Sequence, residues 1–198
     1  EIVSKCQIVL MDSSVLSHYL GDKQDLISVE ERGIALEEEH QCRIMLMDYL
    51  RKGIPCFITS SVLEEFQTKD HYPYKKIVKK ANSHEDARLI TKSSSYNNRK
   101  LLELRRKIRD AQKGRRKLIN TFQDNERVLE LNENEHGLYN VFNKAYSGLL
   151  SLYKLSDVDF DFLISGAVVA KTRESSVLIS NDFGIVRAWH YVQKRENI

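Results

Sequence analysis

Three aspartates occupy alternate positions directly before a long apolar run: Asp157, Asp159 and Asp161. A helix rotates such alternate residues by about 200° from one another, and Ser156 precedes Asp159 by the three residues typical of a capping box. Capping explains Asp159, since the helix dipole favours negative charge in a first turn. Asp157 and Asp161 are four residues apart, and a like-charge pair at that spacing weakens a helix. A second role, outside capping, is therefore indicated for this group.

Other acids follow short apolar segments elsewhere in the chain. Apolar runs end at Asp12 and Asp182, and a third run leads into a helix with Glu64 and Glu65 in its first turns. In an open parallel sheet, the carboxyl ends of the strands form the edge at which ligands bind, so these acids and Asp161 are expected at one edge. Converging carboxylates raise each other's pKa, and Mg²⁺ or Mn²⁺ relieves the repulsion with oxygen ligands. The pattern predicts a divalent metal site.

Strands and helices alternate in an order that would bring those acids together. The predicted strands are Ile8–Met11, residues 54–59 and residues 177–180. Predicted helices begin at Ser13 or Ser14, at Ser60 or Ser61 and at Ser156, and another runs from about residue 29 to residue 52 and ends at Gly53. Residues 83–152 give only helical signals. The alternation predicts an α/β fold in which helices cover both faces of a parallel sheet. We expect one domain over residues 1–198, with a long helical insertion at about residues 83–150.

The composition is that of a globular protein with a substantial core. The chain has 198 residues, of which 41% are hydrophobic, and a formal charge of +3, with a pI near 8.7. Its three cysteines are odd in number and far apart, which argues for reduced thiols in the cytoplasm and against a zinc site. The sequence shows no signal peptide and no apolar run of membrane-spanning length, so we expect a cytoplasmic protein without a membrane partner.

One part of the predicted insertion is strongly basic. Residues 99–117 contain ten Lys or Arg and two acids, with apolar residues at helical spacing, which predicts a helix with one packed face and a basic surface. Such a surface beside a metal centre is expected to bind a phosphate backbone. The predicted RNA-binding residues are Arg105, Arg106, Arg109, Lys113 and Arg116. The alternative is that the acidic residues 124–135 neutralise the basic helix within a helical hairpin.

Four motifs resemble, in their order along the chain, those of the PIN-domain nucleases. The segment "IVLMDSSVL" is similar to the family's first-strand Asp followed by Ser or Thr, and "SSVLEEF" to its Ser-x-x-Leu-x-Glu segment, which puts Glu65 at the acidic position. The segment "DFLISGAVVA" is similar to the family's helix of an Asp, an apolar pair and small residues, and "VLISNDFGI" to its late strand that ends in Thr or Ser followed by Asn-Asp. The resemblance covers residues 5–70 and 152–190.

The resemblance implies a metal-dependent endoribonuclease on a PIN-like sheet. Its acidic tetrad, catalytic and metal-binding, would be Asp12, Glu65, Asp161 and Asp182, with Mg²⁺ or Mn²⁺ as the cofactor and RNA as the substrate. Hydrolysis would leave a 5′-phosphate and a 3′-hydroxyl. Supporting or alternative groups are Ser14, Glu64, Asp157, Asp159 and Asn181. The lead-in "LSDVD" resembles a ribosome-maturation branch of the family, in which the aligned acid is Asp159, and the toxin-like branch implies an antitoxin inhibitor or a homodimer as further partners.

Two other functions are compatible with the sequence. A catalytically silent PIN-like module would bind RNA or protein without cleaving it. The other is a Mg²⁺-dependent phosphatase on a similar α/β sheet. Its haloacid-dehalogenase type is disfavoured, because it needs a second aspartate two residues after the first and Ser14 occupies that position. The acids also have structural alternatives, since Asp12 could be a helix cap and Asn181 with Asp182 an ordinary turn.

Overall fold

The computed structural model of the protein describes residues 8–16, 44, 46–68, 96–173 and 176–198. Three parallel strands form a sheet within these residues: β1 (Ile8–Met11), β2 (Cys56–Phe57) and β3 (Ser176–Ile179). Their order is β2-β1-β3, so β1 lies in the centre. All four residues of β1 are buried, as expected for a strand covered on both faces. The predicted α/β class with a parallel sheet is confirmed.

Helices account for most of the rest of the described chain. They are α1 (Ser13–Leu16), α2 (Ser60–Thr68), α3 (Tyr96–Asp124), α4 (Glu133–Tyr146), α5 (Leu149–Tyr153), α6 (Asp157–Thr172) and α7 (Phe183–Glu196). Residues 44 and 46–51 are also helical and belong to the helix predicted over residues 29–52, of which residues 29–43 and 45 lie outside the described residues. That helix ends at Gly53, as predicted, because Gly53 has a φ of +73°, which glycine adopts without steric cost.

The chain is extended between α3 and α4, where the sequence indicated only helices. Val128 forms a parallel bridge with Ile58. Ile58 donates its N–H to the carbonyl of Arg127 at 3.1 Å and accepts from the N–H of Leu129 at 2.7 Å. The extended segment therefore continues the sheet beyond β2. Its apolar run is too short for periodicity to distinguish a strand from a helical turn.

Helix α6 is buried over two turns and packs against β3. Buried residues run without a break from Phe162 to Val169, and a helix that is apolar on all sides belongs in the interior of a domain. Gly166 permits the close approach, since a Cβ there would lie 2.9 Å from Cγ of Leu178. Helix α4 packs on α6, so α6 lies between a strand and a helix.

The basic helix α3 is attached to the core near its C-terminal end. Leu118 and Phe122 are buried, and the buried Arg115 donates to the carbonyl of Phe66 at 3.1 Å. Its guanidinium carbon also lies 4.1 Å from the centre of the Phe66 ring. The acidic residues 124–135 do not form the hairpin helix that was considered as an alternative. They form the turn after α3, the extended segment and the start of α4.

Candidate active site

Asp12 is buried at the carboxyl end of the central strand. The residue is 1% exposed, and its N–H extends the pairing of β1 with β3 by donating to the carbonyl of Ile179 at 3.1 Å. Oδ1 of Asp12 accepts from the N–H of Ser13 at 2.6 Å. Oδ2 accepts from the hydroxyls of Ser14 at 2.5 Å and Ser180 at 3.0 Å. These bonds fix the carboxylate at the junction of the two strands.

The serines beside Asp12 have their hydrogen-bond directions set by the backbone. Ser14 Oγ accepts from the N–H of Asn181 at 3.0 Å, and Ser180 Oγ accepts from the N–H of Asp182 at 3.0 Å. Each hydroxyl therefore donates its own proton to Asp12. The structure thus brings the predicted supporting residues Ser14 and Asn181 to Asp12. Ser180 was not predicted, although its position at the end of an apolar strand was an available signal.

Asp182 lies beyond the carboxyl end of β3 and caps α7. Its Oδ1 accepts from the N–H groups of Gly184 at 2.5 Å and Ile185 at 3.2 Å, which is the N-cap arrangement. The start of α7 is packed closely, since a Cβ on Gly184 would lie 2.9 Å from the carbonyl oxygen of Tyr153. Asp182 is nevertheless exposed, so it combines a structural role with access to solvent.

Asp159 forms the predicted capping box and also lies near Asp12 and Asp182. Asp159 donates its N–H to Ser156 Oγ at 3.1 Å, and its Oδ2 accepts from the N–H of Ser156 at 2.9 Å. The pKa of Asp159 is raised, because burial and the negative charges of Asp12 and Asp182 outweigh the lowering by the Ser156 hydrogen bonds. Asp12, Asp159 and Asp182 are called the carboxylate cluster below. Asp157, in the same helical turn, is exposed.

Asp161 is held by a different set of groups. Tyr139 donates to its Oδ1 at 2.6 Å, and Ser61 donates to its Oδ2. Thr59 Oγ1 lies 2.8 Å from Ser61 Oγ, so the network is at the carboxyl end of β2. Asp159 and Asp161 separate because residues two apart on a helix are rotated by about 200°. No local motif marks Tyr139, and Ser61 was predicted only as a possible helix start.

A cleft of about 570 Å³ lies beside Asp161. Its lining includes Thr59, Leu129, Glu130, His136, Tyr139 and Asp161. The volume is within the range of small-molecule sites. Burial raises the pKa of Tyr139, and the hydrogen bond to Asp161 raises it further, so the phenol remains a donor at the wall of the cleft.

The two predicted acids of α2 differ in their exposure. Glu65 is partly buried, with its Oε2 shielded from solvent, whereas Glu64 is exposed. Helix α2 packs against α1 and α6, the helices that follow Asp12 and contain Asp159. Glu65 is thus the acid of α2 that is turned toward the interior.

The carboxylate cluster offers oxygen ligands for a hard divalent cation. The capping bonds use Oδ1 of Asp182 and Oδ2 of Asp159, which leaves the second oxygen of each carboxylate for a ligand. In the part of the chain that the structure describes, no group of three or more His, Cys, Asp or Glu side chains is placed so that it could hold a metal ion. The donor chemistry of three carboxylates fits Mg²⁺ or Mn²⁺.

The predicted RNA-binding residues lie on α3. Arg106, Arg109, Lys113 and Arg116 are exposed, and Arg106 Nε lies 3.8 Å from Asp110 Oδ2 in a pair with both side chains largely in solvent. The side chain of Arg105 lies outside those that the structure describes. Helix α3 therefore presents a basic surface formed by these four exposed side chains.

No family model matches this chain, and no match was found among curated proteins or solved structures. None of the described helices is both long enough and apolar enough to cross a membrane. Function is therefore inferred from the groups described above.

Proposed function

We propose that this protein is a metal-dependent ribonuclease of the PIN type, with the carboxylate cluster at its active site. The observation that best supports this function is that Ser180 Oγ donates to Asp12 Oδ2 and accepts from the N–H of Asp182, so one hydroxyl joins the acids at the ends of β1 and β3. The charges of both acids also raise the pKa of Asp159. The three acids come from the end of β1, the first turn of α6 and the end of β3. Gathering like charges at one edge is unfavourable by itself, and a bound cation would offset the repulsion.

The order of the strands also favours this edge of the sheet. β1 pairs with β2 on one side and with β3 on the other, so the strand order reverses at β1. Open α/β sheets bind ligands beside the carboxyl ends of the strands at such a position. Asp12 follows β1 directly, and Asp182 follows β3 by three residues.

The acids of the site would have different roles. Asp12 is the fixed ligand, because its carboxylate is buried and held by three donors, and Asp159 and Asp182 each offer one further oxygen. A bound Mg²⁺ or Mn²⁺ would supply charge stabilisation at the phosphate and would activate water for attack. Glu65 is the remaining acid of the predicted tetrad, and Asp161 contacts substrate in the neighbouring cleft.

A polyanionic substrate is supported by the basic surface of α3. Its four exposed cationic side chains would bind phosphates without distinguishing their sequence. The resemblance to PIN-domain nucleases names RNA as that polyanion.

The test is cleavage of a labelled single-stranded RNA with Mg²⁺ or Mn²⁺, with excess EDTA as the control. Asp182→Asn and Asp159→Asn are the informative variants, because asparagine keeps a capping oxygen and removes the charge. Each is expected to lower cleavage by about 100-fold or more. Asp157→Asn, which changes an exposed aspartate of the same helical turn as Asp159, should leave cleavage unchanged.

Three results would contradict this proposal. They are cleavage that persists in EDTA, full activity of both informative variants, and the absence of cleavage with either metal. RNA binding without cleavage would favour the catalytically silent module instead.

A further inference from the structure

Phe183 is exposed directly beside the carboxylate cluster. It is the first residue of α7 and follows Asp182 in the chain. Its exposure is 80%, the highest among the large hydrophobic residues that the structure describes as exposed. A phenylalanine in that position adds almost nothing to the core, so stability does not explain it.

The packing of α7 holds Phe183 in solvent. Ile185, Ala188 and Val192 form the buried face of the helix, and Gly184 brings the first turn against the carbonyl of Tyr153. Any side chain at position 184 would press on that backbone, so the helix start has little freedom to tilt. The closely packed start of α7 therefore holds the ring of Phe183 in solvent.

The exposed face around Phe183 also includes a cation. Val186 and Arg187 are three and four residues further along α7, so they share a face with Phe183, and both are exposed. An aromatic ring with a guanidinium one helical turn away matches two parts of a nucleotide, the face of the base and the phosphate.

We propose that Phe183 and Arg187 form a platform that binds an unpaired nucleotide of single-stranded RNA, with the base stacked on Phe183 and a phosphate at Arg187. The platform rests on the proposed function, because its position next to Asp182 would hold the RNA chain beside the metal-binding edge. Bases in a duplex are stacked on their neighbours and paired, whereas unpaired bases expose a face for an aromatic side chain. The substrate class is therefore single-stranded RNA.

Binding is measured without cleavage, in EDTA, by fluorescence anisotropy of a labelled single-stranded RNA of about ten nucleotides. Phe183→Ala is expected to weaken this binding by about 5-fold to 100-fold and to leave the binding of a blunt duplex unchanged. Val141→Ala is the matched control, since Val141 is 61% exposed on α4. The melting temperature of Phe183→Ala should equal that of the parent protein, because the ring is largely outside the core.

Phe183→Trp provides a direct signal for stacking. This variant should keep the affinity for single-stranded RNA, and its added tryptophan fluorescence should be quenched by the RNA. The parent protein has a single tryptophan, the partly buried Trp189, whose fluorescence should change much less. Arg187→Gln should lower the slope of log affinity against log salt by about 0.7.

The platform and the nuclease activity can fail separately. Unchanged single-strand affinity in Phe183→Ala, or no affinity for single-stranded RNA in the parent protein, overturns the platform even if metal-dependent cleavage is found. Conversely, Phe183→Ala could lose affinity for single-stranded RNA while the parent protein cleaves RNA with neither metal. That result supports the platform and overturns the nuclease.

Discussion

The hydroxyl of Tyr139 donates a 2.6 Å hydrogen bond to Oδ1 of Asp161. Ser61 donates to the other oxygen, so side chains of α4 and α2 hold Asp161 from two sides. Asp159, two residues earlier, instead experiences the charges of Asp12 and Asp182. The two aspartates that the sequence left as alternative metal ligands thus lie in different surroundings.

This difference predicts opposite effects on metal binding. Asp159→Asn is expected to weaken Mn²⁺ binding by at least about 10-fold. Metal affinity falls by this factor even when the mutated residue only hydrogen-bonds to a metal ligand. Asp161→Asn should bind Mn²⁺ as tightly as the parent protein does. It should nevertheless lose RNA cleavage, because Asp161 is proposed to contact the substrate in the cleft. Titration calorimetry of both variants measures the metal affinities. The reverse pattern would make Asp161 the ligand, as the resemblance to the PIN-domain motif implies.

Asp12→Asn is expected to lower the free energy of unfolding by about 1 to 3 kcal/mol in EDTA. Ser14 and Ser180 each accept a backbone N–H and donate to Asp12 Oδ2, so an amide nitrogen at that position would face two donors. In the flipped orientation, the amide nitrogen would face the N–H of Ser13. Urea unfolding measures the change. Asp182→Asn is the control, because its capping oxygen survives and its stability should stay within about 0.5 kcal/mol. If Asp12→Asn is as stable as the parent protein, the assignment of Ser14 and Ser180 as hydrogen-bond donors to Asp12 is wrong.

The ion pair of buried Glu135 and partly exposed Arg173 predicts a loss of stability in acid. Arg173 hydrogen bonds lower the pKa of Glu135 to about 2, below the value of about 4.3 for an unfolded glutamate. A carboxyl with a lowered folded pKa stabilises the fold fully above the unfolded pKa, and this contribution is lost as the pH falls toward the folded pKa. Glu135→Gln should cost about 2 to 4 kcal/mol at pH 7, and urea unfolding should show the difference shrinking between about pH 5 and pH 2.

An exposed pair serves as the control for that measurement. Lys52 Nζ lies 2.6 Å from Asp48 Oδ2, with both side chains at least half exposed. Asp48→Asn should leave the unfolding free energy nearly unchanged at any pH, because solvent screens an exposed ion pair. A pH-independent effect of Glu135→Gln would argue that packing, not ionisation, is responsible.

The basic surface of α3 predicts the salt dependence of RNA binding. Replacing Arg106, Arg109, Lys113 and Arg116 with serine should weaken binding of unrelated RNAs to similar extents, because phosphate contacts do not distinguish sequence. Each lost contact should lower the slope of log affinity against log salt by about 0.7, with Mn²⁺ affinity unchanged. Lys144→Ser, at an exposed position of α4, is the control. An unchanged slope in the fourfold variant would remove α3 from the RNA-binding surface.

Two glycines should respond in opposite directions to alanine. Gly184→Ala places a Cβ 2.9 Å from the carbonyl oxygen of Tyr153, and crowding against backbone should cost about 1 to 3 kcal/mol. Gly137 lies in α4, and a Cβ added there would have nothing within 4 Å, so Gly137→Ala should stabilise by about 0.5 to 1 kcal/mol. Thermal unfolding of both variants distinguishes crowding from helix propensity.

Local signals predicted the elements that flank the site. The run before Asp12 is β1, with the bounds expected, and the spacing of Ser156 and Asp159 is the capping box found in α6. Which other residues contact the aspartates of the site depends on packing between distant segments of the chain. Whether Asp159 or Asp161 turns toward Asp12 depends on how α6 is rotated against the sheet, which its packing on β3 sets and no short motif encodes. Tyr139 reaches Asp161 for the same reason, because α4 packs on α6.

The hydrogen bond from Ser180 to Asp12 joins residues 168 positions apart. Chains are synthesised from the N-terminus, and early segments emerge from the ribosome long before late ones. Asp12 is therefore made early, but its site stays incomplete until β3 has been translated and has docked beside β1. Pairing between such distant segments is also a slow step of folding. The proposed ribonuclease, assembled in this order, would stay inert until β3 has docked beside β1.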